Sequence, residues 1–444
     1  MKKYLLLLVL ISAVSCTKMT PEKQIARIFN YFDKNTSAVS TLETVCNNYP
    51  ARMSGSQNNS DAIDYFTLVL GKYVKPDNLW TQDVTVPNWN PGETKVTCIP
   101  SKGEPFNLNS VPLGLSIGTD GQTITADVVE VSSREDFDKA AIKDKIVFFN
   151  EAMSDENGYG KAGWQRRQGA AMAAKRGAVG VIVRSLTKLT NDDPHTGVTN
   201  YEDSVKQIPA IAISTMGADK LSAELKNDNR MKVSISSTSK RLPDAIGRNL
   251  VAEFTGREHP EHIILLSAHI DCWFNSQGAQ DNAASCVAAI ETLRAFKKLG
   301  IKPKNTIRIV LYQDEETGLA GMKEYAKIAK EKDEQYLFNM EMDSGAGGPK
   351  TFMVSEPEGF YIKMKDIVNQ YLSSYGVEEI QSLKGGRANW PLTEKVHAPF
   401  YLYRSNTEKY FDIHHSSSDN FDKVDQAAFK KGIAAITSFV YLMD

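Results

Sequence analysis

The sequence predicts an α/β fold, a three-layer sandwich in which helices cover both faces of a largely parallel central sheet, with a smaller β-rich α/β module ahead of most of that sheet. Three observations predict it. Beyond Asn249, short apolar runs alternate with stretches of helical period, the pattern of buried strands joined by helices. Between about Val84 and Thr238 the strands are shorter and the spacing tighter, which suggests a separate compact α/β module. The chain has 444 residues, too many for one small domain and enough for two cores.

Taken in order, residues 1–15 stand apart. Lys2 and Lys3 precede an apolar stretch from Tyr4 to Val14, too short to span a bilayer as a mature helix and suited to a secretory signal. Ala13-Val14-Ser15-Cys16 resembles a bacterial lipoprotein cleavage site, with Cys16 as the lipidated N-terminus. The expected location is therefore outside the cytoplasm, anchored to a bacterial membrane through that cysteine and facing the periplasm or the exterior. Plain secretion is the alternative. Cys46, Cys98, Cys272 and Cys286 show no CxxC pair, so no structural zinc site is indicated and no disulfide is required.

Helices are expected from Pro21 to about Tyr73, broken by turn-forming residues between Asn47 and Asn59. The next module offers strands at Ala126–Val131, Lys145–Phe149, Val179–Val183 and Ile208–Ile213, with an alanine-rich helix at Gly169–Arg176. In the last part, Ile263–Leu266, Thr306–Tyr312, Tyr336–Met342 and Pro399–Tyr403 read as strands. Helices at Ala283–Leu299, Leu319–Lys332, Phe360–Tyr375 and Gln426–Met443 separate or follow them. The expected segments are 16–90, 91–245 and 246–444.

Composition narrows the function. With 41% hydrophobic and 24% charged residues the chain reads as globular. Lys+Arg 52 against Asp+Glu 54 leaves no excess of positive charge to bind a nucleic acid.

Polar clusters fall at or just past the expected strand ends: His269-Ile270-Asp271, Asp281 in Gly278-Ala279-Gln280-Asp281-Asn282, Asp314-Glu315-Glu316, and Asp343. Asp412-Ile413-His414-His415-Ser416 and Asp419 follow near the C-terminus. Each has a plainer reading alone: Asp281 as a helix cap, the glutamates as favourable charge at a helix start, the histidines as a solvated turn. Together they would crowd carboxylates into one crevice, and bound cations supply the counter-charge most simply. Mixed imidazole and carboxylate donors suit zinc, with manganese or cobalt as acceptable substitutes. Two metals sharing one carboxylate would activate a bridging water, and one carboxylate would have to stay off the metals to take its proton.

The order HxD, GAxD, EExGLxG, a strand ending in Met-Asp, and HSxxD resembles the co-catalytic di-zinc aminopeptidase family. Within that family the chain is similar to the carboxypeptidase Q branch over nearly all of its mature length. Tyr49-Pro50-Ala51-Arg52-Met53-Ser54-Gly55-Ser56, Asp193-Pro194-His195-Thr196-Gly197, Ile208-Pro209, His269-Ile270-Asp271-Cys272-Trp273 and His414-His415-Ser416 carry this likeness. The resemblance implies a zinc-exopeptidase-like fold with an inserted protease-associated domain. It implies two Zn2+ ions, one on His269 and Asp343, one on Glu316 and His415, with Asp281 bridging. Glu315 would be the general base, and Asp271 would hydrogen-bond His269 and set its tautomer. The implied activity is hydrolysis of dipeptides and short peptides, and a homodimer is the implied assembly. Arg387 and Arg404 are candidate anchors for a substrate carboxylate, with structural ion pairs as the plainer reading. Three features depart from the branch: Cys272, expected beside the metals and open to oxidation; Asn282; and Gly385–Trp390, which lacks an acidic residue. A carboxypeptidase on the same site, a glutaminyl cyclase-like acyltransferase and a catalytically silent binding protein are the rival readings.

Overall fold

The computed structural model describes residues 19–154, 158–355, 357–383, 390–406 and 409–444. Its strands are β1 Leu79–Asn90, β2 Thr94–Ile99, β3 Phe106–Leu108, β4 Ser110–Pro112, β5 Ile124–Val131, β6 Ile146–Phe149, β7 Gly180–Arg184 and β8 Ala210–Ile213. They continue as β9 Lys232–Ser237, β10 Lys240–Phe254, β11 His259–His269, β12 Asn305–Tyr312, β13 Gln335–Met342, β14 Pro349–Val354, β15 Gln381–Ser382 and β16 Phe400–Ser405.

Two eight-stranded sheets result. The central one runs β1-β10-β12-β11-β13-β16-β14-β15. Its four inner strands, β12-β11-β13-β16, are parallel, as the buried apolar runs predict. The sheet as a whole is mixed, because β10 joins β12, β1 joins β10 and β14 joins β16 in antiparallel fashion. Every residue of β12 is buried, which requires cover on both faces. Successive side chains of β11 supply the two cores in turn. Ile264, Leu266 and Ala268 pack with helices Pro21–Lys34, Ala38–Asn48, Ala284–Leu299 and Gln426–Met443 on one face. Ile263 and Leu265 pack with helices Ala320–Glu331 and Pro391–Val396 on the other. This alternation makes the three layers.

The second sheet, β3-β2-β9-β5-β6-β7-β8-β4, lies between Thr94 and Ser237. It has its own apolar cluster on each face, Ile146, Phe148 and Ile182 on one, Val147, Phe149 and Val181 on the other. The chain leaves and re-enters the central sheet along a long antiparallel ribbon, from Leu79 opposite Ala252 to Asn90 opposite Lys240. Among the described residues no helix is long and apolar enough to cross a membrane.

Candidate metal centre

The inner parallel strands end on the same edge of the sheet, where open α/β sheets bind ligands. β11 ends with His269, β12 is followed by Gln313-Asp314-Glu315-Glu316, and β13 is followed by Asp343. Asp281 does not open a regular helix. It sits in the irregular turn Ala279–Ala283 with φ −123° and ψ 88°, ahead of a cis peptide bond to Asn282. The Asp419 carboxylate accepts the backbone N–H of Gln280 at 2.7 Å and of Asp281 at 3.1 Å. Asn282 Nδ2 donates to the Met342 carbonyl at 2.8 Å, tying the turn to the end of β13.

These elements bring the side chains into one cluster. His269 Nε2 stands 3.2 Å from Asp281 Oδ1 and 3.7 Å from Asp343 Oδ1. His415 Nε2 stands 3.3 Å from Asp281 Oδ2 and 3.2 Å from Glu316 Oε2. His414 Nε2 is 3.5 Å from the same Asp281 Oδ2, and the two neighbouring imidazoles stack with centroids 3.5 Å apart. His269, Asp281, Glu316 and His415 are all buried, with Asp343 partly exposed.

His269 Nδ1 lies 3.0 Å from the backbone carbonyl of Asp271, which can only accept, so Nδ1 carries the proton and Nε2 faces the cluster. The Asp271 carboxylate is 3.7 Å from that nitrogen. Its oxygens instead accept the backbone N–H groups of Glu315 and Glu316, each at 3.2 Å. Asp271 therefore holds the imidazole through its main chain and the Glu315-Glu316 pair through its side chain.

The buried Nε2 of His269 and Oε1 of Glu316 make no hydrogen bond, although carboxylates and imidazoles surround them. Burial alone would depress His269, but the Asp271, Asp281 and Asp343 carboxylates hold it well above the usual imidazole range. Burial would raise Asp281, yet His269 and His415 hold it well below the carboxylate range. Burial pushes Glu316 up to about 7, with the Asp281 charge adding to it. Burial likewise raises Glu315 well above its usual value, with Asp343 and Glu316 opposing its ionisation against the pull of His269. Carboxylates crowded so closely, with orphaned donor atoms between them, fit divalent cations of the kind that imidazole and carboxylate bind.

A cleft of about 430 Å³ opens over the cluster, with Glu315, Tyr159, Arg166, Arg167, Arg404 and Tyr410 among its lining. Arg404, a candidate anchor in the sequence, lies on β16 and is part of this lining. Arg387 and Cys16 lie outside the described residues. Cys272, expected to be open to oxidation, is shielded from solvent. It is fully buried, and burial raises its thiol to about 11, which leaves it protonated and inert. The four described cysteines are unbridged.

The second sheet contributes contacts that sequence reasoning missed. The Thr196 carbonyl lies 3.3 Å from both His415 Nδ1 and Arg166 Nη1, and the Thr196 N–H donates to the His415 carbonyl at 2.9 Å. The Asp193 carboxylate accepts from Ser417 Oγ at 2.7 Å and Ser418 Oγ at 2.6 Å. From the central-sheet part of the chain, and equally unforeseen, Tyr410 Oη donates to Asp343 Oδ1 at 3.3 Å. The motif around Asp193 and Thr196 was the available signal, but nothing local to it names the histidine it meets.

Comparison with known proteins points the same way. The profile described as peptidase family M28 matches residues 249–440. The chain is 30% identical to carboxypeptidase Q of Mus musculus over 396 residues, covering 88% of this chain and 82% of that one. It is 30% identical to carboxypeptidase Q of Homo sapiens over 397 residues, with the same coverage of 88% and 82%. A peptidase M28 precursor from Shewanella amazonensis SB2B superposes with a TM-score of 0.88 at 28% identity, covering 95% of this chain and 96% of that chain. A zinc aminopeptidase from Bacillus subtilis shares the fold, with a TM-score of 0.65 at 17% identity over 91% of this chain and 94% of that one.

Proposed function

The chain belongs to peptidase family M28 and is a zinc exopeptidase of the carboxypeptidase Q and aminopeptidase type, and from that premise we propose that it hydrolyses dipeptides and short peptides with free termini. The observation that carries the proposal is Asp281, whose two carboxylate oxygens face His269 and His415 from between two donor sets.

In this reading His269 and Asp343 would hold one zinc ion and Glu316 and His415 a second, with Asp281 available to both donor sets. When bound, the ions supply Lewis acidity that polarises the scissile carbonyl and makes water more acidic. Glu315 reaches the cleft without belonging to either donor set, so it is the group available to take the proton from the attacking water and pass it to the leaving amine. Asp271 fixes both the imidazole of His269 and the backbone of Glu315, so donor and base keep a constant relation. The module between Thr94 and Ser237 would be the protease-associated domain of this reading, and its helix Gly158–Arg167 brings Tyr159, Arg166 and Arg167 to the cleft lining.

Export and anchoring through Cys16 belong to the same proposal, supported by the charged and apolar leader of residues 1–15. So does a homodimer, which light scattering on the purified chain would read. The test of the activity is mass spectrometry of a mixed dipeptide and tripeptide library, with and without a zinc chelator. Chelator-sensitive release of single amino acids is expected. Full zinc occupancy with no cleavage would overturn the reading, and loss of ammonia without gain of water would favour a cyclase.

A further inference from the structure

The edge of the central sheet opposite the metal cluster carries a different surface. The end of β10, the turn ahead of β12 and the C-terminal end of helix Ala284–Leu299 frame a groove of about 550 Å³. Its floor is apolar, built from Tyr73, Phe254, Phe296 and Ile301. Its lip is cationic, with Lys75, Arg257, Lys297 and Lys302 all exposed and no carboxylate in the lining. The imbalance is local, since the whole chain has a formal charge of −2. Arg257 is paired with Glu258 at 2.7 Å, whereas Lys75, Lys297 and Lys302 have no ion pair among the described residues. Lys297 alone would be an ordinary cation at a helix C-terminus. Lys75, Arg257 and Lys302 come from other elements and converge on the same lip.

Met19, the first described residue, lies beside this groove. Arg27 Nη1 stands 3.3 Å from Met19 Sδ, and Arg27 Nη2 donates to the Leu299 carbonyl at 3.3 Å. Leu299 directly precedes Gly300 of the groove lining. Cys16 is three residues ahead of Met19, and three residues span at most about 11 Å. An acyl chain on Cys16 would therefore enter a bilayer next to the cationic lip. Each lysine near an anionic bilayer is drawn to it, and apolar surface between the lysines adds to the attraction. We propose that this edge, with Lys75, Lys297 and Lys302 around the apolar groove, seats on an anionic phospholipid surface. The lysines meet headgroup phosphates, and the groove takes the apolar part of a lipid just beneath them. The inference rests on the reading of Cys16 as an anchor and adds the face that the anchor presents to the membrane. β12, eight residues long, puts the metal cluster about 26 Å from this edge at about 3.3 Å per residue. The cleft then opens away from the bilayer, toward soluble peptides.

The test is co-sedimentation of the mature chain from Cys16, without acyl groups, with two kinds of vesicle. One is phosphatidylcholine alone and the other a mixture of phosphatidylglycerol and phosphatidylcholine. Partitioning should be at least about 10-fold stronger on the mixed vesicles, and high salt should remove the difference. A double variant, Lys297→Glu with Lys302→Glu, should lose that preference. A second double variant, Lys206→Glu with Lys226→Glu, changes net charge equally at exposed positions of the other module and should keep it. Equal partitioning of the parent on both vesicles, or an equal loss in the two double variants, overturns the proposal. If the first double variant does not fold, Lys302→Glu alone carries the test, and an undiminished preference there overturns it. The state of Cys16 in the exported protein is read in parallel by mass spectrometry. An acylated Cys16 without the vesicle preference would sink this surface and leave the anchor standing. An unacylated Cys16 with the preference intact would remove the anchor and leave the surface.

Discussion

Asp281 and His415 meet at 3.3 Å, between Oδ2 of one and Nε2 of the other, although 134 positions separate them (415 − 281). The other oxygen of the same carboxylate lies 3.2 Å from His269. One side chain thus links two donor sets that arrive on different elements. Its removal should empty both. Asp281→Ala is expected to bind little or no zinc and to lose activity, read by metal analysis of the dialysed protein. Two equivalents of zinc in a folded Asp281→Ala variant would exclude the shared role.

Glu315 differs from its neighbour Glu316 in having no imidazole within ion-pair distance, while it still lines the cleft. Replacing it by glutamine keeps the shape and removes the base. Glu315→Gln should retain its zinc and its unfolding midpoint and lose at least about 100-fold in kcat. A rate within a few-fold of the parent would transfer the proton to another group.

Adjacent histidines compete for the same oxygen of Asp281, and only one of them also meets Glu316. His415 does so at 3.2 Å, while His414 has the Tyr159 hydroxyl at 3.5 Å as its other partner. Accordingly His415→Ala should release zinc, whereas His414→Ala should keep it and lose activity only modestly. Zinc retained in the first variant and lost in the second would reverse the assignment.

The inner sheet was legible because strands buried on both faces write continuous apolar runs, and because His269, Glu315, Glu316 and Asp343 follow those runs directly. The β1–β10 ribbon was not legible. β1 is only intermittently buried, so no period marks it, and its pairing with β10 depends on a partner at least 150 residues away (240 − 90). The Asp281 turn was misread as a helix start because its geometry depends on Asp419 and Asn282 rather than on local propensity. Arg166 was not singled out by any motif in the sequence. Its place near His415 follows from how the second sheet meets the central one, which no local pattern records.

Arg52 tests the scaffold beneath the cluster. Its guanidinium is fully buried and donates to the carbonyls of Ile270, Tyr49, Gln277 and Gly278. The end of β11 is thereby clamped to the loop that leads into Asp281. Arg52→Met fills the space but leaves those carbonyls without their donor. A loss of roughly 3–5 kcal/mol is expected in urea unfolding, together with weaker zinc binding. A loss under about 1 kcal/mol would mean that water replaces the guanidinium at little cost.

The contact between the second sheet and the histidine loop has a pH signature. Burial pushes the Asp193 carboxyl up, but hydrogen bonds from Ser418 and Ser417 outweigh it and hold the group below the usual carboxylate range. A folded-state pKa below the unfolded value of about 3.9 means that the unfolded chain binds the proton more readily. The stabilisation is therefore fully present above about pH 4 and is lost as pH falls through the lowered folded value. Asp193→Asn keeps the size and removes the charge, so it should cost about 1–3 kcal/mol at pH 7. The gap between variant and parent should then shrink on acidification below about pH 4, followed by urea unfolding down to the lowest pH at which both stay folded. Because Ser417 and Ser418 lie only two and three residues beyond His415, the variant should also bind zinc less tightly at pH 7. A gap that widens with acid, or zinc affinity equal to the parent's, would uncouple this contact from the centre.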